Sequence, residues 1–272
     1  MFLRAILDFL FPRYCAICGD ILPVDEDTIC HQCDEQLPRT FMWQRKIKHN
    51  GKYKSDDIIF QETEDSQNIE SNNSHGDEGE TDNTVLFQNN ALAKRYWGRA
   101  EIERAVAFLK YVPNSNSAKL VYDFKYHGKS HTALSLGQMM AKEIQSSGFF
   151  DGIDCIIPVP LTRKRLARRG YNQSKELAKG IRKVTKITII DNVLRRSSFS
   201  VSQTKLTHEE RLDNVNNSFY LSKCHDSLIN KHILLIDDIV TTGATTLECY
   251  NTLKQIQGIR ISILSLGFVS HI

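Results

Sequence analysis

The 272-residue chain lacks any run of 18 or more apolar residues, so the sequence predicts no membrane span. Its apolar opening, MFLRAILDFLF, is too short to cross a bilayer, and no small-residue cleavage site follows it. A secretory signal is therefore not expected. No internal repeat is visible, and no G-x-x-x-x-G-K-[ST] phosphate loop occurs, which excludes a built-in nucleotide motor of that kind. An even set of cysteines is missing too. The chain has seven, and four of them form two C-x-x-C pairs, a pattern that suits a reducing cytoplasm and a metal better than a disulfide framework. Wholesale disorder is excluded by a composition of 41% hydrophobic and 25% charged residues.

One stretch lacks positive charge. Residues 56–82 carry ten Asp and Glu and no Lys or Arg. Setting those ten aside leaves 35 basic against 22 acidic residues, which moves the net charge from +3 to +13. The remainder is basic enough to favour phosphate-bearing partners. The acidic stretch lies within a polar segment, residues 45–92, that is poor in large apolar groups. It cannot bury enough surface to offset ordering, and it is expected to be a disordered insert. The implied organisation is a helix and cysteine module over 1–44, the insert over 45–92, and a larger domain over 93–272.

Apolar periodicity predicts a helix over residues 1–11 and renewed helical character from Tyr96 through Ile102, Ala105, Val106 and Leu109. Helices are expected over 117–125, 132–146, 172–184 and 245–257, with a capping box at Thr207-His208-Glu209-Glu210. Strands are expected over 153–157, 187–190, 233–236 and 260–269. Apolar strands alternating with helices imply an α/β fold, a parallel sheet with helices on both faces.

Three constellations carry chemistry. Cys15-x2-Cys18-x11-Cys30-x2-Cys33 can set four thiolates around a structural Zn2+, with Gly19 easing the first turn. Reactive or disulfide pairs are the alternative, and His31 is a substitute ligand. The second is the run Ile233-Leu234-Leu235-Ile236-Asp237-Asp238-Ile239-Val240-Thr241-Thr242-Gly243-Ala244-Thr245. It reads as a buried strand ending in two carboxylates, then a hydroxyl-rich turn feeding a helix. Such a turn favours an anion, and the carboxylates can accept hydrogen bonds from a vicinal diol. Phosphate beside ribose diol describes a 5-phosphoribosyl group. The third is basic: nine Lys and Arg between residues 163 and 183, among them Arg165, Arg168, Arg169 and Lys175, with Tyr171 between. It suits a nucleic-acid backbone with base stacking, or else a solvated helix face plus diphosphate-binding arginines.

The second run resembles the phosphoribosyl-diphosphate (PRPP) binding motif of type I phosphoribosyltransferases. Further motifs follow in the order of ComF/ComFC-type competence proteins: PRYCAICG at 12–19, FKYHG at 124–128, IPVPL at 157–161, RGYNQS at 169–174, and Ser202-Gln203 with Arg211 and Asn214. The resemblance spans the chain except residues 45–90. It implies a four-cysteine zinc module joined to a type I phosphoribosyltransferase-like domain, handling single-stranded DNA during natural transformation, with any DNA-translocating ATPase a separate protein. By the same resemblance Asp237 and Asp238 hold the ribose diol, and Thr241, Thr242, Gly243, Ala244 and Thr245 hold the 5′-phosphate. Pro158, Val159, Pro160 and Leu161 form the pyrophosphate loop. Residues 195–217 form a loop over the site, with Lys205, Arg211 and Lys125 as pyrophosphate or catalytic contacts and Mg2+ accompanying PRPP. Two functions stay open: a DNA-uptake factor that binds a phosphoribosyl ligand, and a transferase displacing pyrophosphate with a nucleobase or amine. For the second, no acceptor-binding hood is legible.

Overall fold

A computed structural model describes residues 11–44, 48–49, 52–53, 87–126, 130–197, 218–222 and 225–270. The helix expected over 1–11, most of the acidic insert, the capping box, Lys205 and Arg211 lie outside them.

Five strands form one parallel sheet: β1 (Ala105–Lys110), β2 (Cys155–Pro158), β3 (Thr188–Ile189), β6 (His232–Val240) and β7 (Arg260–Phe268), in the order β1-β7-β6-β2-β3. A separate antiparallel pair, β4 (Leu194–Arg196) and β5 (Phe219–Leu221), brackets residues 198–217. Alternation along β6 explains its unbroken apolar run. Leu234 and Ile236 enter one core with Leu136, Met140 and Ile181, while Ile233 and Leu235 enter the other with Cys249 and Leu253. A strand covered on both faces has no polar side to show.

The first core lies under α3 (Ser130–Ile144) and α5 (Gln173–Thr185), the second under α6 (Ala244–Leu253). The backbones of α3 and α5 touch at two glycines. A Cβ at Gly137 would lie 2.1 Å from the Leu177 carbonyl oxygen, and one at Gly180 would lie 2.0 Å from that of Leu134. Glycine costs a helix about 1 kcal/mol relative to alanine. Here its missing side chain is what lets the helices meet.

Two expectations change. The periodicity from Tyr96 to Leu109 is not one helix: Ala93–Tyr96 is a single 3-10 turn, and Ala105–Lys110 is strand β1. All of β1 but Lys110 is buried, and a short continuous apolar run fits either period. The folded domain also begins earlier than residue 93. Phe87 and Leu92 are fully buried, and Phe87 packs edge-on against Phe149. Within the same polar segment, Lys48–His49 pairs antiparallel with Lys52–Tyr53.

The cysteine module covers the sheet edge that β1 would otherwise leave bare. The Lys110 N–H donates to the Pro38 carbonyl (2.8 Å), and the Thr40 N–H donates to the Phe108 carbonyl (3.0 Å). Trp43 stacks on Phe108 with ring centroids 5.4 Å apart. Arg39, 8% exposed, bridges Asp34 at 2.6 Å and Glu143 of α3 at 2.8 Å. Both carboxylates stay a third exposed and regain water when the arginine goes, so the loss is that of charge-assisted hydrogen bonds, about 1.5–3 kcal/mol, rather than of a stranded buried charge. Arg39→Ala is expected to lower the unfolding free energy by that amount, read from the denaturant midpoint at unchanged m-value. A loss under about 1 kcal/mol, the range of surface pairs, would mean that the docking does not depend on this arginine.

Candidate functional site

Strands β2 and β6 part at the carboxyl end of the sheet. Their pairing ends at Pro158 opposite Ile236, and the Val159 N–H makes a last bond to the Ile236 carbonyl (2.9 Å). Pro160 has no N–H with which to continue. β6 runs on beside β7 as far as Val240 opposite Phe268, so Asp237 and Asp238 are strand residues rather than the start of the turn. From β2 the chain passes through α4 (Arg163–Arg169) and α5 to β3 on one side; from β6 it passes through α6 to β7 on the other. The gap is a topological switch point, where open α/β sheets take their ligands.

The acidic pair sits at this point in unequal surroundings. Asp237 is 8% exposed, and burial followed by the charge of Asp238 raises its carboxyl toward neutrality. Asp238 is half-buried, with Lys125 Nζ of α2 (Asn116–Tyr126) at 3.0 Å and Arg169 Nη1 at 4.0 Å from its Oδ2. The Asp238 N–H donates to Asp237 Oδ1 (2.9 Å) and the Ile239 N–H to Asp238 Oδ1 (2.7 Å), which fixes both carboxylates. Elements far apart in sequence thus place two carboxylates and two cations around one strand end.

The hydroxyl-rich turn follows. Thr241, Thr242 and Ala244 are exposed and Thr245 half-exposed, while Gly243, at φ +79°, caps α6 in the left-handed region. A side chain at Gly243 would meet the Tyr96 ring at 3.3 Å. Tyr96 is buried, and its hydroxyl and that of Thr246 share a hydrogen bond of 2.7 Å. Sequence reasoning gave Tyr96 no part in this site. No local signal marks a tyrosine that reaches α6 from 150 residues upstream.

The other turn, Pro158, Val159, Pro160 and Leu161, is tied to the start of α5 by Asn172, whose side-chain amide donates to the Val159 carbonyl (3.0 Å) and whose Oδ1 accepts the Ser174 N–H (3.1 Å). The basic residues expected to act together are divided. Arg169 turns inward, donating to Oε1 of the buried Gln173 (3.0 Å) and facing Asp238. Arg163, Lys164, Arg165 and Arg168 are exposed on α4, none of whose residues is buried. Lys175 pairs with Asp191. Tyr171 is half-buried against the first core, and burial pushes its hydroxyl up to about 12.

The four cysteines meet as their spacing implies. The Sγ atoms of Cys15, Cys18, Cys30 and Cys33 lie within 4.8 Å of one another. A tight turn with Gly19 at φ +82° and a bridge between Tyr14 and Ile21 shape the first knuckle. Burial opposes ionisation of Cys15, but the N–H groups of Cys18, Cys30 and Ile17 hold its thiol down at about 7; burial and the neighbouring thiols push Cys33 up. Four sulfurs this close cannot all ionise without a cation between them, and the set fits a structural zinc. His31, the alternative ligand, opens the short helix α1 (His31–Glu35) and faces Glu35 at 3.2 Å instead.

Residues 6–44 match the double zinc ribbon domain family. Competence protein F of Haemophilus influenzae is 31% identical over 114 residues, 42% of this chain and 50% of that protein. The chain is thus similar to that competence protein over less than half of its own length. DNA utilization protein YhgH of Escherichia coli K12 is 28% identical over 149 residues, 54% of this chain and 63% of that protein. The matches thus span between half and just under two thirds of these curated relatives. Among solved structures, the allosteric regulatory enzyme of purine biosynthesis overlaps 53% of this chain and 30% of its own at TM-score 0.37 and 16% identity. Adenine phosphoribosyltransferase from Leishmania tarentolae overlaps 66% of this chain and 88% of its own at TM-score 0.32 and 11% identity. Overlaps this loose say nothing about ligand or activity. The parallel sheet with flanking helices and the four-cysteine module before it agree with the fold expected for a ComF-type protein.

Proposed function

We propose that this protein binds a phosphoribosyl ligand of the PRPP type at the switch point and handles single-stranded DNA during uptake. The observation that carries the first half is the convergence of Asp237, Asp238, Lys125 and Arg169 above the hydroxyl-rich turn. Asp237 and Asp238 accept the ribose hydroxyls. Thr241, Thr242 and Thr245, with the backbone N–H groups around Gly243, take the 5′-phosphate at the positive end of α6. Lys125 and Arg169, with the turn at residues 158–161, face the diphosphate; Arg211 and Lys205 belong to the same role by family pattern. Asp237 and Asp238 offer oxygen donors that would suit a hard cation such as Mg2+, which would offset part of the diphosphate charge.

The relatives' names, Competence protein F and DNA utilization protein, support the DNA half. The exposed face of α4 with Arg165 and Arg168 is the electrostatic contact, and Arg169 moves from that set to the ligand set. Lys175 and Tyr171 are secondary contacts. The organisation that goes with this reading is a zinc module to residue 44, an insert ending before Phe87, and a phosphoribosyltransferase-like domain. The setting is the cytoplasm, beside a separate translocating ATPase.

Two measurements test the reading. Changing Arg163, Lys164, Arg165 and Arg168 to Ala is expected to flatten the log affinity against log salt slope for an oligothymidine by roughly 3, since each neutralised phosphate on single strands contributes about 0.7. An unchanged slope moves the DNA contact elsewhere. Incubation with PRPP, Mg2+ and a nucleobase panel is expected to release no pyrophosphate beyond the control. Sustained release with one base would make the protein a transferase.

A further inference from the structure

The segment that supports the phosphate turn also carries a feature that the site does not use. Tyr96 is buried beneath Gly243, and the next residue, Trp97, is 58% exposed. The indole is held in place, its N–H donating to the Gln88 carbonyl at 3.2 Å. Lys94 Nζ lies over the ring, 5.6 Å from its centroid. Lys94 and Arg99 are exposed and, among the described residues, make no ion pair. Arg95 packs on Phe268 and donates to the Val269 carbonyl (3.0 Å), which ties the segment to the end of β7.

A large, anchored, exposed aromatic surface among cations has one good chemical complement. An unpaired base stacks on the indole face while its flanking phosphates meet the cations. A double strand offers no free base face, and an acidic peptide would satisfy the cations but leave the indole bare. We infer that Trp97, with Lys94 and Arg99, is a base-stacking platform for single-stranded nucleic acid, built on residues other than the α4 arginines and continuous with the segment that buttresses the phosphate turn. The inference rests on the DNA-handling half of the function proposed above.

The chain has only two tryptophans, which gives the test a built-in reporter. Trp43 is 4% exposed and stacked on Phe108, so the exposed, red-shifted emission belongs to Trp97. Titrating the full-length protein with oligothymidine is expected to quench that component, and the quench should vanish in Trp97→Phe. Trp97→Ala should weaken binding roughly five- to 150-fold, the usual cost of losing one stacked base. Trp97→Phe should retain most of the affinity, because a ring remains. Neither change should move the melting temperature by more than a degree or two, and a duplex of equal length should not quench. If oligothymidine binds with its full salt dependence while Trp97 emission and the Trp97→Ala affinity stay as they were, the platform is wrong and the α4 contact stands. If the wild type binds no oligothymidine at low salt, both fall together. Quenching by an acidic peptide but not by oligothymidine would also overturn the inference, by marking a protein interface.

Discussion

Cys30→Ser is expected to strip zinc from the protein and leave residues 13–44 open to protease, while the sheet domain stays folded but melts at a lower temperature. Zinc contributes roughly 10–16 kcal/mol to the folding of small zinc-finger modules, more than this short segment can gain from its own core. That core is little more than Leu22, Ile29 and Leu37 beside Cys15 and Cys33. The fall in melting temperature follows from the docking. Once the module loosens, Trp43 leaves Phe108, and the N–H of Lys110 loses its bond to Pro38, which exposes the edge of β1. Elemental analysis, limited proteolysis and thermal melts read the three consequences separately. A wild-type protein purified without zinc, or a Cys30→Ser variant as protease-resistant as its parent, would contradict the assignment of the cluster.

Asp237→Asn is expected to stabilise the fold at pH 8 while weakening ligand binding. The Asp237 carboxyl is raised from its ordinary 3.8 to about 7, first by burial and then by the charge of Asp238. A group whose folded value lies above its unfolded one favours the folded state fully below pH 3.8 and loses that contribution as pH rises toward 7. Above that window the buried charge is a standing cost on the order of a few kcal/mol. Asparagine carries no charge and keeps the oxygen that accepts the Asp238 N–H. The variant's melting temperature should therefore exceed the wild type's at pH 8, and the difference should shrink toward pH 4. A lower melting temperature at pH 8 would show that the charge is compensated in place. Residues retained at a cost to stability mark functional sites.

Much of this was legible in the chain before the structure. The C-x-x-C pairs lie in one short segment, so spacing alone brought their sulfurs together. The strand, acidic pair and turn at 233–245 are also local. Patterning located most of the strands and helices of the sheet domain, because a parallel sheet covered on both faces writes apolar runs between amphipathic helices. The same property hid β1. Ala105 to Leu109 has no polar residue to betray a period of two, and it continued a helical pattern by accident. Partnerships across the fold were illegible for a different reason. Arg169 lies one residue from Arg168, yet Gln173 turns it inward, and Lys125 reaches Asp238 from another helix altogether. Nothing in a run of basic residues says which one faces the crevice. Arg39 and Tyr96 were equally silent, since the partners that dock them across the fold, Glu143 and Thr246, lie 104 and 150 residues away.

The claim that the switch point is a phosphoribosyl site is tested most directly by calorimetric titration of PRPP with Mg2+ into the zinc-loaded wild type and the Asp237→Asn/Asp238→Asn double variant. Charge-assisted hydrogen bonds contribute roughly 1.5–3 kcal/mol each. Saturable one-to-one binding to the wild type, weakened at least about tenfold in the folded double variant, is the expected result. No binding to the wild type, or equal binding to both proteins, would contradict it.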